Sequence, residues 1–146
     1  MKVYVASSWR SDRQAEVVRQ LKRAGHEVYD FRHPGGDHPD GFHWSEIDPD
    51  WESWTPEEFA AGLRHPIARD GLRRDTAGLH WCEAVVLVVP DTPRRSSHIE
   101  LGYAAGAGKR SVILLSAGEP ELMYGLADAV CVTIAEVLLV LEESTS

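Results

Sequence analysis

Blocks of apolar and polar positions along the chain predict a regular series of strands and helices. Short runs rich in β-branched residues predict five strands. These runs lie near residues 3–6, 27–31, 84–89, 111–115 and 129–132. Apolar residues at helical spacing, bounded by caps and glycines, predict the helices. The helical segments cover about residues 11–24, 55–63, 66–81, 97–106 and 134–143.

The order of these elements predicts the fold class. The chain opens with a strand–helix–strand unit, and residues 84–89 form a continuous apolar run typical of a strand buried in a parallel sheet. We therefore expect one α/β domain over residues 1–146, with an open, mostly parallel sheet of about five strands and helices on both faces. Ligands bind such sheets beyond the carboxyl ends of the strands. Those ends are Ser7-Ser8-Trp9-Arg10, Phe31-Arg32-His33 and Pro90-Asp91.

Residues 34–54 interrupt the pattern. The segment is rich in turn formers and carries three of the five tryptophans, Trp44, Trp51 and Trp54. It is too long for an ordinary connection, so we expect an insertion that lies over the carboxyl ends of the strands as a lid. Its rings can stack on a base, anchor the segment or contact another subunit. The nearby side chains of His33, Asp37, His38, Asp40 and His43 match no metal-ligand spacing, so no metal is expected.

Composition narrows the possible partners. The chain has 15 Lys and Arg against 23 Asp and Glu, a formal net charge of −8, which disfavours sequence-independent binding to nucleic acid or an anionic membrane. Two cysteines, Cys82 and Cys131, form no disulfide framework and are expected to be buried thiols. The N-terminal apolar run is too short for a signal peptide, and no stretch is long enough to span a membrane. We expect a cytoplasmic protein.

The stretch Ser97-His98-Ile99-Glu100-Leu101-Gly102-Tyr103 carries the strongest chemical signal. One interpretation is a capping box, in which Ser97 caps the helix and Glu100 reaches back to the cap amide. The other places Glu100 in the first turn of a helix that follows the central strand, where the helix dipole favours an ionised carboxylate. An ionised, positioned carboxylate is what a nucleophile toward a sugar anomeric carbon must be.

Glu100-Leu101-Gly102-Tyr103-Ala104, followed by Gly108-Lys109, resembles the nucleophile motif of nucleoside 2-deoxyribosyltransferases. Glu-Leu-Gly also occurs in the related deoxynucleoside 5′-monophosphate N-glycosidases. Further segments are similar in the same order: residues 3–8, Asp75 with residues 79–89, Pro90-Asp91, and residues 120–128. The resemblance covers most of the chain outside residues 34–64 and implies a flavodoxin-like or Rossmann-like fold.

The resemblance implies a role for each matching residue. Glu100 would attack C1′ and form a glycosyl-enzyme ester, while Asp75 and Asp91 would handle the proton of the base. Ser8 and Arg10 are similar to the Ser-x-Arg of the monophosphate glycosidases and would hold a phosphate at a helix start. The expected substrate-binding residues are Ser7, Ser8, Trp9, Arg10, Ser97, His98 and Met123.

The chain departs from the motif of the transferases at one position, and two alternative functions stay open. The transferases carry an Asn where this chain has Glu121, so transfer of deoxyribose in the strict sense does not follow. A NAD-cleaving enzyme like the Toll/interleukin-1 receptor domains has a similar layout and also uses a Glu. A non-catalytic nucleotide-binding or signalling module would use Glu100 only as a helix cap. The resemblance also implies a homodimer or larger homo-oligomer and a reaction without a cofactor.

Overall fold

The computed structural model describes residues 1–89, 95–115 and 121–143. The chain divides into two compact units. The sheet unit comprises Met1–Asp30 and Leu79–Ser146, and the insert unit comprises Phe31–Gly78. The expectation of a single domain stays a prediction.

Five parallel strands form the sheet. They are β1 (Lys2–Ala6), β2 (Glu27–Asp30), β3 (Ala84–Val88), β4 (Arg110–Leu114) and β5 (Ala129–Cys131). Their order is β2-β1-β3-β4-β5, so the direction of winding reverses between β1 and β3. The side chains of β3 are buried throughout, as its unbroken apolar run predicts. The predicted α/β fold class is confirmed, and the reversal places the expected ligand crevice beyond the carboxyl ends of β1 and β3.

Five helices accompany the strands: α1 (Gln14–Arg23), α2 (Pro56–Gly62), α3 (Pro66–Trp81), α4 (Ser96–Gly106) and α5 (Ile134–Glu143). Helices α1 and α5 bury their apolar stripes against one face of the sheet, where Val17, Leu21, Val137 and Leu141 are fully buried. Helix α4 covers the other face, and the end of α3 contributes Leu79 to the same core. Helices therefore lie on both faces, as predicted.

Of two predicted helix caps, the structure confirms one and contradicts the other. Thr55 caps α2 in a capping box, because its hydroxyl accepts from the Glu58 amide at 3.2 Å and the Glu58 carboxylate accepts from the Thr55 amide at 3.3 Å. The expected cap of α1 by Ser11-Asp12 is wrong. The N-cap residue is Arg13, which makes no side-chain cap hydrogen bond. The Ser11 amide instead closes a turn onto the Ser8 carbonyl at 3.1 Å, which delays the start of the helix.

The insert unit contains α2, most of α3 and the predicted aromatic segment. Two short 3-10 turns, Trp44–Glu46 and Trp51–Ser53, are its regular structure before α2. The Trp44 ring packs against Phe42, Trp54 and Phe59, with centroid distances of 4.8, 5.7 and 5.3 Å. The tryptophans therefore help to build a small aromatic cluster inside this unit. That the segment acts as a lid stays a prediction.

Within the described ranges, no helix has the length and apolar character needed to cross a membrane. The thiols of Cys82 and Cys131 are buried and free, and burial raises the pKa of both.

Candidate active site

The loop after β1 brings four predicted binding residues to the carboxyl edge of the sheet. Ser7 and Ser8 are buried, whereas Trp9 and Arg10 are exposed. The Ser8 hydroxyl accepts a hydrogen bond from the Arg10 amide at 3.2 Å, and the Ser7 hydroxyl donates to the Ser8 carbonyl at 3.2 Å. Local hydrogen bonds thus shape the loop and leave the Arg10 side chain on the surface, where a guanidinium can meet an anion from solvent.

Glu100 lies in the second turn of α4, and not in its first turn as predicted from the sequence. The helix begins at Ser96 with Arg95 as its N-cap residue, so Glu100 is the fifth helical residue. Ser97 is the second, and its side chain is turned into the core with 1% exposure. The capping-box interpretation of Ser97 and Glu100 is therefore wrong, because the helix starts two residues too early for Ser97 to act as the cap.

Two other helix starts in the chain have the same Ser/Thr-x-x-Glu spacing and do form capping boxes. Thr55 and Glu58 cap α2, as described above. At the start of α5, the Thr133 hydroxyl accepts from the Glu136 amide at 3.1 Å, and the Glu136 carboxylate accepts from the Thr133 amide at 3.3 Å. Glu100 differs from these two glutamates because its helix begins at Ser96, so that Glu100 is not at the third helical position where a capping box needs it. Its Oε2 atom is nonetheless withdrawn from solvent.

The direction of the Glu100 side chain follows from its neighbours on α4. Ser97 and Ala104 are each 1% exposed and mark the face that packs on the sheet. His98 lies on one flank of that face, where it contacts Tyr124 of the segment that leads into β5. Glu100 is turned about 200° from His98 around the helix axis and so lies on the opposite flank. Since α4 packs on β1, β3 and β4, this flank faces away from β5 and toward β1.

A half-buried polar pair joins the first turn of α4 to the segment before β5. The Nε2 atom of His98 lies 2.8 Å from the Tyr124 hydroxyl, and the two rings stack at 5.7 Å. Burial, and secondarily the charge of Glu121, raise the pKa of Tyr124, so its hydroxyl stays protonated at neutral pH. Among the described residues, the Ser97 Oγ and His98 Nδ1 atoms are buried without a hydrogen-bond partner. Buried polar atoms of this kind are costly when they are left without a hydrogen bond.

The remaining predicted site residues are distributed as follows. Met123 lies in the 3-10 turn Leu122–Leu126 beside Tyr124, and its side chain is exposed. Asp75 is a half-buried residue of α3 in the insert unit. Asp91 lies outside the described residues. The predicted roles of Asp75 and Asp91 at the base stay predictions.

Sequence reasoning missed two polar residues at the same edge of the sheet unit. Asp30 is the last residue of β2 and Gln14 the first of α1, and both side chains are at least nine-tenths buried. The Gln14 amide Nε2 donates to the Asp30 carboxylate at 2.7 Å. An acidic residue that ends a strand next to the first strand was the signal in the sequence. Tyr124 was missed as well, since nothing near it in the sequence pointed to His98.

The histidines of the insert unit contact protein groups. His33 and His43 lie within hydrogen-bond distance of the backbone carbonyls of Pro39 and Asp40, and His38 Nε2 lies 3.3 Å from the Asp70 carboxylate. In the part of the chain that the structure describes, no three His, Cys, Asp or Glu side chains gather as metal ligands would.

Comparison with known proteins adds one clear finding. No protein-family model matches the chain, and no curated protein matches it. A solved structure of the 2-deoxyribosyltransferase from the psychrotolerant bacterium Bacillus psychrosaccharolyticus does match, with a TM-score of 0.61 over 94% of this chain and 90% of that one. This chain shares the 2-deoxyribosyltransferase fold. The fold that the Glu-Leu-Gly-Tyr-Ala motif implied is thereby confirmed, while at 18% identity the likeness carries the fold and not the reaction.

Proposed function

We propose that the protein cleaves or transfers at the N-glycosidic bond of a nucleoside or nucleoside monophosphate, with Glu100 as the nucleophile. One observation supports the proposal: α4 begins at Ser96, so Glu100 lies in its second turn and outside a capping box, on the flank of α4 toward β1. That flank borders the crevice where the strand order reverses, the usual ligand site of such sheets.

The reaction would proceed in two displacements. A carboxylate oxygen of Glu100 attacks C1′ of the sugar, the C1′–N bond breaks, and the base leaves with the bonding electrons and takes up a proton. The glycosyl ester on Glu100 is then released by an acceptor that attacks C1′. Water as the acceptor gives the free sugar, and a second base gives a new nucleoside. Asp75 and Asp91 are the proposed proton carriers for the base.

The loop after β1 favours a nucleoside monophosphate over an unphosphorylated nucleoside as the substrate. Arg10 is exposed beside the buried Ser8 in the loop that leads into α1, and the backbone amides and dipole of a helix start favour an anion. The 5′-phosphate of a nucleoside monophosphate is a suitable anion for this position. A formal net charge of −8 disfavours long polyanions but leaves a local arginine free to bind a small one.

Release of free base tests the proposal. The protein is incubated with deoxynucleosides, nucleoside monophosphates and NAD, with and without a second base, and the products are separated by chromatography. We expect free base or an exchanged nucleoside from the first two substrate groups, and no product from Glu100→Gln. The matched control is Glu57→Gln, which neutralises an exposed glutamate on α2 and is expected to keep full activity.

The outcomes separate the alternatives. Nicotinamide release from NAD alone would favour an enzyme like the Toll/interleukin-1 receptor domains. No product from any substrate, together with binding of nucleotides, would favour a non-catalytic module. Base release by Glu100→Gln at the wild-type rate would remove Glu100 from the mechanism.

A further inference from the structure

The β1–α1 loop (residues 7–13) connects the end of β1 to the start of α1 and carries Ser8, Trp9 and Arg10. Its first end is fixed, because β1 pairs with β2 and β3 and its side chains from Val3 to Ala6 are fully buried. Its second end runs into α1 through Arg13, the N-cap residue, whose side chain makes no cap hydrogen bond. A contact between α1 and the sheet is therefore needed to fix where the loop ends.

The hydrogen bond between Gln14 and Asp30 meets this need. Gln14 is the first residue of α1, and its side chain is 1% exposed. Its Nε2 atom donates to Asp30, which ends β2 opposite Val5 of β1. The bond thus joins the far end of the loop to the strand that neighbours β1. A hydrogen bond of a buried amide to a carboxylate is directional and expensive to break, so it fixes position as well as distance.

We infer that the Gln14–Asp30 pair is a positioning element for the β1–α1 loop, which it holds in the geometry needed to bind the phosphate of a nucleoside monophosphate. The pair acts through Arg10 and Ser8 and does not itself touch the substrate. This inference rests on the proposed function for the identity of the ligand. The ordering of the loop by the pair is a property of the protein alone.

Fluorine NMR of protein labelled with 5-fluorotryptophan tests the ordering directly. Trp9 lies in the loop at 40% exposure, and Trp81 lies outside it at 37% exposure, so the two rings are a matched probe and control. In Gln14→Glu two carboxylates face each other, and we expect the Trp9 signal to shift or broaden while the Trp81 signal stays unchanged. Lowering the pH should reverse the change, because the protonated side chain can donate the missing hydrogen bond.

A swapped pair provides the rescue. In the double variant Gln14→Glu with Asp30→Asn, the new amide donates to the new carboxylate, so the hydrogen bond returns with its direction reversed. We expect the wild-type Trp9 signal to return with it. Gln14→Asn serves as a second disrupting variant that keeps the charge, because the shorter amide cannot reach Asp30. An unchanged Trp9 signal in both disrupting variants, or no recovery in the swapped pair, would overturn the inference.

Kinetics and binding then distinguish this inference from the proposed function. In Gln14→Asn we expect the KM for a nucleoside monophosphate to rise about tenfold, as when one charge-assisted contact is misplaced, with kcat nearly unchanged and recovery in the swapped pair. If wild-type protein releases no base from any substrate, the proposed function fails, while the Trp9 signal still decides whether the pair orders the loop. An equal loss of kcat and of affinity for unphosphorylated nucleoside would indicate a general structural role and overturn the inference.

Discussion

Replacing Gly62 by alanine provides a sharp test of the aromatic cluster in the insert unit. Gly62 ends α2 and is buried against the Trp54 ring. A Cβ atom at this position would lie 2.7 Å from Cζ3 and 2.9 Å from Cη2 of Trp54, against the 3.4 Å at which ordinary van der Waals contact begins. The methyl group would therefore overlap two ring atoms at once.

The Trp54 ring has little freedom to move away. Its Nε1–H donates to the Asp48 carboxylate at 2.8 Å, and its edge packs on Trp44 at a centroid distance of 5.7 Å. Overpacking of this kind costs about 1–3 kcal/mol. For a chain of this length each kcal/mol lowers the Tm by roughly 2–4 °C, so we expect a fall of roughly 6 °C. Gly102→Ala is the control, since nothing lies within 4 Å of its added methyl group and an exposed mid-helix alanine should raise stability by about 1 kcal/mol.

Thermal denaturation followed by tryptophan fluorescence measures both variants, and NMR titration of Asp48 reports the cause. Hydrogen bonds from the Asp50 amide and from Trp54 lower the pKa of Asp48 in the native protein. If the Trp54 ring is displaced, one donor is lost and this pKa rises toward its usual value. The native hydrogen bonds stabilise the fold at neutral pH, and this contribution disappears as the pH falls through the depressed pKa. A Gly62→Ala protein with unchanged Tm and unchanged Asp48 titration would refute the reasoning.

Three further predictions concern the sheet unit. Arg10→Ala should weaken binding of a nucleoside monophosphate roughly tenfold or more and leave the unphosphorylated nucleoside unaffected, as measured by calorimetry; equal losses for both ligands would mean that Arg10 does not bind phosphate. Tyr124→Phe should raise the KM of the substrate, whereas Tyr103→Phe, which removes the hydroxyl of the other stacked Tyr–His pair, should not; equal kinetics in the two variants would contradict a role for Tyr124. The thiols of Cys82 and Cys131 should resist alkylation until the protein unfolds, because burial raises their pKa and blocks access; rapid labelling of native protein, seen by mass spectrometry, would count against this burial.

The sequence predicted the strands, the α/β class and most helix boundaries because each depends on local pattern. The unbroken apolar run at residues 84–89 is typical of a strand that is covered on both faces, as in a parallel sheet. In the structure β3 is the central strand of the sheet. Thr55-Pro56-Glu57-Glu58 predicted a helix start correctly because all of its interactions are made within four residues.

Features that depend on contacts between distant parts of the chain could not be predicted from the sequence. The spacing of Ser97 and Glu100 is identical to that of Thr133 and Glu136, yet only the second pair forms a capping box. The difference lies in where each helix begins: α4 starts at Ser96, before Ser97, whereas α5 starts at Ile134, directly after Thr133. The spacing of the two residues does not show where that start falls. The partnerships of Gln14 with Asp30 and of His98 with Tyr124 join residues 16 and 26 positions apart, so they too emerge only when the strands come together.

The central claim is that Glu100 attacks C1′, and trapping the covalent intermediate tests it most directly. The protein is incubated with a nucleoside whose sugar carries fluorine at C2′, which slows breakdown of the glycosyl ester, and the product is analysed by intact-mass and peptide mass spectrometry. The account predicts one added fluorosugar on the peptide that contains Glu100, loss of the added mass in Glu100→Gln, and its retention in Glu57→Gln. A fluorosugar attached to a different residue, or base release by wild-type protein without any adduct together with equal release by Glu100→Gln, would contradict the account.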